Sequence, residues 1–462
     1  MPNIMSRIDM RVDARKEYQK IDGFGVNINS KHWDDGGLIP VMELLTEDLG
    51  ATLFRVDIYG KSNWIDPDNE KDASVLNREE YEKIYSSSVF RSGWSMMRYL
   101  NEKKIEPVIV ATGDVPTWML GDKKRSIDHI PKWMQRDTKQ LEQYGHFSNM
   151  MVSLLDWARN EEGIRFKYFS PLNETDIGSP EGPSVSPEEF VKVMEVLDAK
   201  LEESGLDDVR LAVADQAFFS SLYVEALVKS EALLGRIGAF GMHTYGWDRR
   251  YFDRTADEEY SKLGRIIKDS PYAGCRLWMT EYGDLDQSGE REWYVAWVST
   301  SRLLKSLEHG FNGAMVWDAY DNYHEHDGAW TIYGLVRSAR RVYTPKKRYY
   351  AAKQVYRFVL PGFVRIGVEN EWEGIKMLGF ANPERTKVTL VGMNLSDKDV
   401  YVNIDLEGFS EGIMSEKVSY YRTTENEDCV KVKEVDVRSS NYPFHGIAVT
   451  VPAYAIFTLT NA

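Results

Sequence analysis

Two short stretches of this chain place a glutamate where a glutamate needs a reason. Residues 169–176 read FSPLNETD and residues 278–284 read WMTEYGD, so that Glu174 and Glu281 each close an apolar run of strand character. An isolated carboxylate is costly to bury and tends to neutralise instead, so each must be paired, solvated or used. Two carboxyl groups at strand ends facing one another across a shared mouth could break a glycosidic bond. One would protonate the leaving oxygen while the other attacks the anomeric carbon or activates water. A gap of about 5 Å would give retention of configuration and one of about 6.5 Å or more inversion. Asp176, two residues beyond Glu174, is a rival for the acid's role.

The elements that must position these groups follow a regular alternation. Strands are expected to begin at Gly23, Ala51, Glu106, Phe166, Val209, Ile237, Arg276 and Gly313, with helical patterns between them. The helices are expected over Val41–Leu49, Ser92–Lys104, Thr138–Asn160, from Ser186 to near Gly205, and over Leu222–Leu234, Asp257–Lys268, Glu290–His309 and Lys346–Val359. In SPEE, Ser186 suits the cap, Pro187 the first helical position and Glu189 a capping box. Eight strand-then-helix units predict an α/β fold closed as a (β/α)8 TIM barrel over residues 21–345. The competing open, doubly wound sheet lacks the support of a GxGxxG phosphate loop. From Pro361 onward short strands alternate with turns, which predicts a C-terminal antiparallel β-sandwich within 346–462, after the last barrel helix. A strand in residues 1–20 is expected to join it.

In such a barrel the active site lies at the C-terminal ends of the strands. The polar residues expected there are Asn27, Arg55, Asp57, Asp114, Asn173, Glu174, Asp215, His243, Tyr245, Glu281 and Asp318, with Trp118 and Trp317 beside them. Arg55 and Asp57 interrupt an apolar strand and need partners. The loop YDNYHEHDGAW, residues 320–330, offers His324, Glu325, His326 and Asp327, but without the HExxH spacing. It reads first as a solvated loop beside the cleft, then as a substrate contact, and last as a metal site. Trp94, Trp157 and Trp293 fall on helices and are expected to fill core.

Composition narrows the partners. With 72 acidic against 57 basic residues and a formal charge of −15, the chain is poorly suited to a nucleic-acid backbone and better suited to a neutral or cationic substrate. Neither a membrane-length apolar run nor the apolar core of a signal peptide is present, so a cytoplasmic location is expected of the sequence as written, and a secreted one had a leader been removed. Cys275 and Cys429, far apart, are expected to be unpaired thiols.

The motifs also carry a resemblance. The NE pair at the fourth strand with a glutamate at the seventh resembles clan A of the glycoside hydrolases. IDGFG at 21–25, PTWM at 116–119, HTYGW at 243–247 and RYYAAKQVYRFVLPGFVRIG at 348–367 are similar to family 30 within it. The resemblance spans almost the whole chain. It implies a retaining β-glycosidase acting without cofactor or metal on a β-linked oligosaccharide or polysaccharide, with Glu174 as acid/base and Glu281 as nucleophile. It further implies that Arg55 and Tyr245 hold the nucleophile, that Asn173 meets the sugar 2-hydroxyl, and that His243, Trp118 and Trp317 line the subsites. Thr175, where the family often has proline, and Asp114, where a neutral residue is usual, depart from the pattern and bear on the choice of substrate. The other readings are a sugar-binding protein on the same scaffold and a metal-dependent hydrolase or lyase centred on residues 324–327.

Overall fold

The structure is a computed structural model that describes residues 6–58, 68–124, 139–245, 249–286, 291–321, 332–339, 342–437 and 446–462. Eight parallel strands, Gly23–Asn29, Leu53–Ile58, Val108–Ala111, Tyr168–Ser170, Arg210–Gln216, Ile237–Tyr245, Arg276–Gly283 and Gly313–Val316, close into a barrel in that order. They are called here the first to eighth strands. Their near-continuous burial explains why they read as apolar runs: helices cover the outside and side chains fill the inside.

Alternation along each strand sorts its residues between those two environments. In the second strand Phe54, Val56 and Ile58 pack outward with the helices, while Leu53 packs inside with Val108, Tyr168, Ala212, Ala239, Trp278 and Met315. These seven close the lower part of the barrel with an apolar plug. Two residues above Leu53 on the same face comes Arg55, so the polar site rests directly on the plug.

The helices follow the expected pattern with instructive differences. The stretch expected over Val41–Leu49 begins as an α-helix at Ile39–Glu43, widens into a π-helical turn at Leu44–Leu49, and ends at Gly50. The helix expected from Thr138 starts at Tyr144, because Lys139–Leu141 pairs with Leu120–Lys124 in a small antiparallel ribbon. That expected over Leu222–Leu234 stops at Leu227. Ser186 caps Pro187–Glu203 by accepting the Glu189 N–H at 3.0 Å, with Pro187 in the first turn. The Glu189 carboxylate accepts from Tyr144 and from Lys192.

The remaining strands form a nine-stranded sheet folded over a second core. Ser6–Lys20 lies between Val364–Glu369 and Val400–Glu407, antiparallel to the first and parallel to the second. All other pairs in this sandwich are antiparallel. The one parallel pair is open to a strand from the far end of the chain, which no hairpin ties to its neighbour. The sandwich ends in two strands, Gly446–Val451 and Ile456–Thr460, separated by a turn at Tyr454 with φ 49°. A further edge strand, Glu427–Asp436, was not anticipated because its residues are mostly exposed and carry little apolar signal. Thr458 Oγ1 donates to Gln354 O on the helix Lys347–Tyr356, and Thr389 Oγ1 to Phe358 O, both at 2.7 Å, so barrel and sandwich are packed against one another.

Trp94 is fully buried, and Trp157 and Trp293 are half-buried against the same core, as their helical positions predict. Cys275 and Cys429 are free, half-buried thiols whose pKa values burial raises to about 11 and about 12. Among the described residues no helix is long and apolar enough to cross a membrane.

Candidate active site

Arg55 is the centre of the polar layer. Its side chain is fully buried, and register sets it beside Asn27 of the first strand. Nη1 donates to Asn27 Oδ1 at 2.8 Å and to Glu281 Oε1 at 2.6 Å, while Nη2 donates to Asn173 Oδ1 at 2.7 Å and to Asp215 Oδ2 at 3.1 Å. A buried guanidinium requires such compensation, and its planar fork can serve several acceptors at once. The partner that Arg55 needed is thus a pair of carboxylates, one of them Glu281.

Local breaks in the ladder aim these groups inward. The seventh strand shifts register between Met279 and Glu281, a bulge that turns Thr280 and Glu281 both toward the interior. The fifth strand has a similar irregularity between Ala214 and Gln216, where Asp215 takes φ 55°. Asp215 Oδ1 accepts from Thr280 Oγ1 at 2.5 Å, and Oδ2 accepts from Ser170 Oγ. Room for that carboxylate exists because residue 241 is glycine: a Cβ there would lie 2.2 Å from Asp215 Oδ1. Glu174 follows the fourth strand at φ 47°, a conformation that bulky residues rarely adopt, and its N–H donates to Asp215 O at 2.8 Å. Strained backbone of this kind persists where surrounding contacts enforce it.

The two glutamates meet across His243. Its Nδ1 is 2.8 Å from Glu174 Oε1 and 3.5 Å from Glu281 Oε2, and the ring is fully buried. Tyr245 donates its hydroxyl to Glu281 Oε2 at 2.6 Å. Ligating atoms of Glu174, His243 and Glu281 all lie within 4.8 Å of one another. Burial pushes the Glu174 carboxyl up to about 7, against the bond and charge of His243 and with the Glu281 charge adding to the rise. Burial would lower the His243 pKa, but the carboxylates of Glu281, Glu174 and Asp215 outweigh it and hold the imidazole above its ordinary value. Glu174 and His243 thus meet across one hydrogen bond, and each group's charge acts on the other's titration.

The geometry separates two acids of unlike character: Glu281, held by a cation and a phenol, and Glu174, desolvated, with its pKa raised to about 7. That division suits a nucleophile or base beside a proton donor. The same three groups could close on a metal ion, yet the buried guanidinium bound to Glu281 opposes a second positive charge there.

Asn173 has its Oδ1 fixed by Arg55, which leaves its amide N–H groups without a partner among the described residues. Asp176 is not a free acid: Oδ1 accepts the N–H groups of Ala217 at 2.8 Å and Ile177 at 3.2 Å, and Oδ2 that of Phe218 at 2.9 Å. Its carboxylate ties the loop after the fourth strand to that after the fifth. Asp114 accepts Ser179 Oγ at 2.6 Å and links the third-strand and fourth-strand loops. Trp118 is half-buried and meets His146 edge-on at 5.1 Å; Trp317, after the eighth strand, is half-buried too. Asp57 and Asp318 are both buried, and burial with the nearby Asp321 holds the Asp318 carboxyl well above its ordinary range. Trp247 and residues 324–327 lie outside the described residues.

Sequence reasoning placed Asn27 and Asp215 at strand ends without giving either a role. Asn27 bridges Arg55 to the carbonyl of Thr280, 2.9 Å away, and Asp215 supplies the second countercharge. The available signal was an acid at the end of a fully apolar strand, LAVADQ, opposite an arginine in similar surroundings.

No protein-family model matches the chain, and no curated protein matches it significantly. Solved structures do. A GH30 endoxylanase from Clostridium papyrosolvens C71 superposes with a TM-score of 0.71 at 17% identity, over 98% of this chain and 99% of that one. A glycoside hydrolase family 30 subfamily 8 xylanase from Clostridium acetobutylicum gives a TM-score of 0.70 at 15% identity, with coverage of 98% and 99%. An endo-β-1,6-glucanase gives 0.68 at 16% identity, covering 98% of this chain and 93% of its own. The chain therefore has the fold of the family 30 glycoside hydrolases of clan A, a TIM barrel with a β-sandwich built on it.

Proposed function

We propose that this protein is a retaining glycoside hydrolase of family 30 that cleaves β-linked oligosaccharides or polysaccharides by double displacement, without a cofactor. The observation that carries the proposal is the close approach of Glu174 and Glu281, whose oxygens come within 4.8 Å at the mouth of the barrel. A separation near 5 Å admits the anomeric carbon between the two carboxyl groups and leaves no place for a water on the far face, which is the retaining geometry.

In the first step Glu281 attacks the anomeric carbon while Glu174 passes its proton to the departing oxygen. The glycosidic C–O bond breaks and an ester to Glu281 forms. In the second step Glu174, now ionised, takes a proton from water as that water attacks the same carbon and releases Glu281. Arg55 and Tyr245 hold the Glu281 carboxylate in place before it attacks and again once water has released it. His243 makes the ionised form of Glu174 tolerable in a site that otherwise excludes charge. Asn173, its oxygen fixed on Arg55, turns an N–H toward the sugar 2-hydroxyl. Trp118, Trp317 and Asp114 line the approach, where a flat apolar sugar face and its hydroxyl edge would be met by ring and acid. The similar structures act on xylan in two cases and on a β-1,6-glucan in the third, which supports the class of β-linked glycans as a whole.

The test is a substrate array run on the intact protein and on Glu281→Gln. Turnover of at least one β-glycan that the variant loses while keeping its circular dichroism supports the assignment; near-normal activity in the variant defeats it. In Glu174→Ala an aryl β-glycoside with a good leaving group should still be cleaved slowly and, with azide added, give the β-glycosyl azide. An α-azide would contradict retention.

A further inference from the structure

The opposite end of the barrel carries a second polar feature that the hydrolytic site does not use. A cavity of about 320 Å³ opens between the N-terminal ends of the fourth to seventh strands, lined by Lys167, Tyr168, Arg210, Gly238, Cys275 and Arg276 among others. Arg276 begins the strand on which Glu281 lies, so the two sites are roughly 16 Å apart at the ordinary rise per residue. In a chain whose formal charge is −15, three cations gathered about one cavity run against the overall field.

These cations are only partly neutralised. Lys167 has no carboxylate partner among the described residues. Arg210 donates from Nη1 to the carbonyls of Asp207 at 2.7 Å and Val209 at 3.1 Å, bonds that orient its guanidinium but leave its charge unpaired. Arg276 meets Asp22 through Nε at 3.2 Å, and its terminal N–H groups have no partner among the described residues. Between them stands Tyr168, its ring packed on Trp278 at 4.6 Å and its hydroxyl without a hydrogen-bond partner among the described residues. Burial raises the Tyr168 pKa; the charges of Arg276 and, more weakly, Arg210 pull against that rise, while the Asp22 carboxylate and Cys275 add to it.

The floor is shaped to hold this set. A Cβ on Gly238 would lie 2.7 Å from both Arg210 Cβ and the Tyr168 ring, so glycine alone lets the arginine stem and the phenol lie across the sixth strand. Two guanidinium groups, an ammonium and a phenol around one open cavity match a tetrahedral oxyanion, which accepts from several donors and neutralises the cluster.

We propose that this cavity binds a phosphate group, either as inorganic phosphate or as the monoester of a small sugar. Calorimetric titration of the full chain at low ionic strength with inorganic phosphate, and in parallel with glucose 6-phosphate, tests it. Saturable one-site binding is expected, weakened by about tenfold or more in Lys167→Gln/Arg210→Gln, where two charge-assisted bonds are lost. Tighter binding of glucose 6-phosphate than of phosphate assigns the site to a monoester; equal or weaker binding assigns it to the free anion. Either ligand should also raise the melting temperature of the wild-type protein more than that of the double variant. Lys167→Gln alone, at an exposed position, guards against misfolding of the double variant. Absence of saturable binding of both ligands, or unaltered binding in the variants, overturns the proposal. No step of this test depends on hydrolysis.

Discussion

Replacing Glu174 with glutamine should stabilise the protein, and by an amount that grows with pH. Burial lifts this carboxyl from 4.5 to about 7. A carboxyl whose folded pKa exceeds its unfolded one binds more protons when folded, so its contribution to stability is complete below 4.5 and is lost as pH rises toward 7. At 1.36 kcal/mol per pH unit the loss amounts to about 3 kcal/mol by pH 7.5. His243 acts in the same direction: its raised pKa makes its contribution fade as pH climbs past 6.5, and Glu174→Gln removes one of the charges that raises it. Glutamine has the shape of the protonated acid and none of the desolvation cost of its anion, so the full figure is an upper bound for the gain. The assay is urea unfolding of wild type and variant side by side at half-unit steps from pH 4.5 to 8. The two curves should nearly coincide at pH 4.5 and separate steadily, with the variant the more stable above pH 6. A difference independent of pH, or a variant that loses stability relative to wild type as pH rises, would refute the claim that Glu174 is a desolvated, proton-carrying group.

Three further outcomes rest on the same cluster. The kcat for an unactivated β-glycan should fall on the alkaline side of about pH 7, as Glu174 loses the proton it must donate; a profile flat to pH 9 would remove Glu174 from that role. Gly241→Ala sets a methyl group 2.2 Å from Asp215 Oδ1 and should displace that carboxylate from Arg55, costing about 1–3 kcal/mol in unfolding experiments and lowering kcat at least tenfold. Arg55→Lys replaces a four-acceptor fork by a single ammonium. It should destabilise the protein by about 3–5 kcal/mol, because a carboxylate is left buried with poorer compensation, and should depress kcat while leaving the overall circular dichroism intact.

Much of this was legible before any coordinates. Apolar runs of strand length alternating with 3.6-period segments specify eight parallel strands, because burial on both faces leaves no polar alternation to misread. A glutamate ending such a run must be compensated, which singled out Glu174 and Glu281; Arg55 entered the same mouth by its place in the second strand, and its pairing with Glu281 was an implication of the resemblance. The antiparallel region after Pro361 was equally readable from its turns. The exposed edge strand Glu427–Asp436 was not, since its residues carry little burial signal.

Only the tertiary structure fixed the distances, partners and burial of the acids. Register shifts at Glu281 and Asp215 break the two-residue alternation that sequence reasoning depends on, and they turn inward groups that strict periodicity would send outward. Asp176 and Glu174 look alike in FSPLNETD, yet one is consumed by three backbone N–H groups and the other faces His243. The sharing of Arg55 between Glu281 and Asp215 depends on strands two, five and seven meeting across the barrel, a contact between residues distant in the chain. So does the approach of Glu174 to Glu281 within 4.8 Å. The chain's own pattern says which carboxylates require an explanation; closure of the barrel sets their distance and their desolvation.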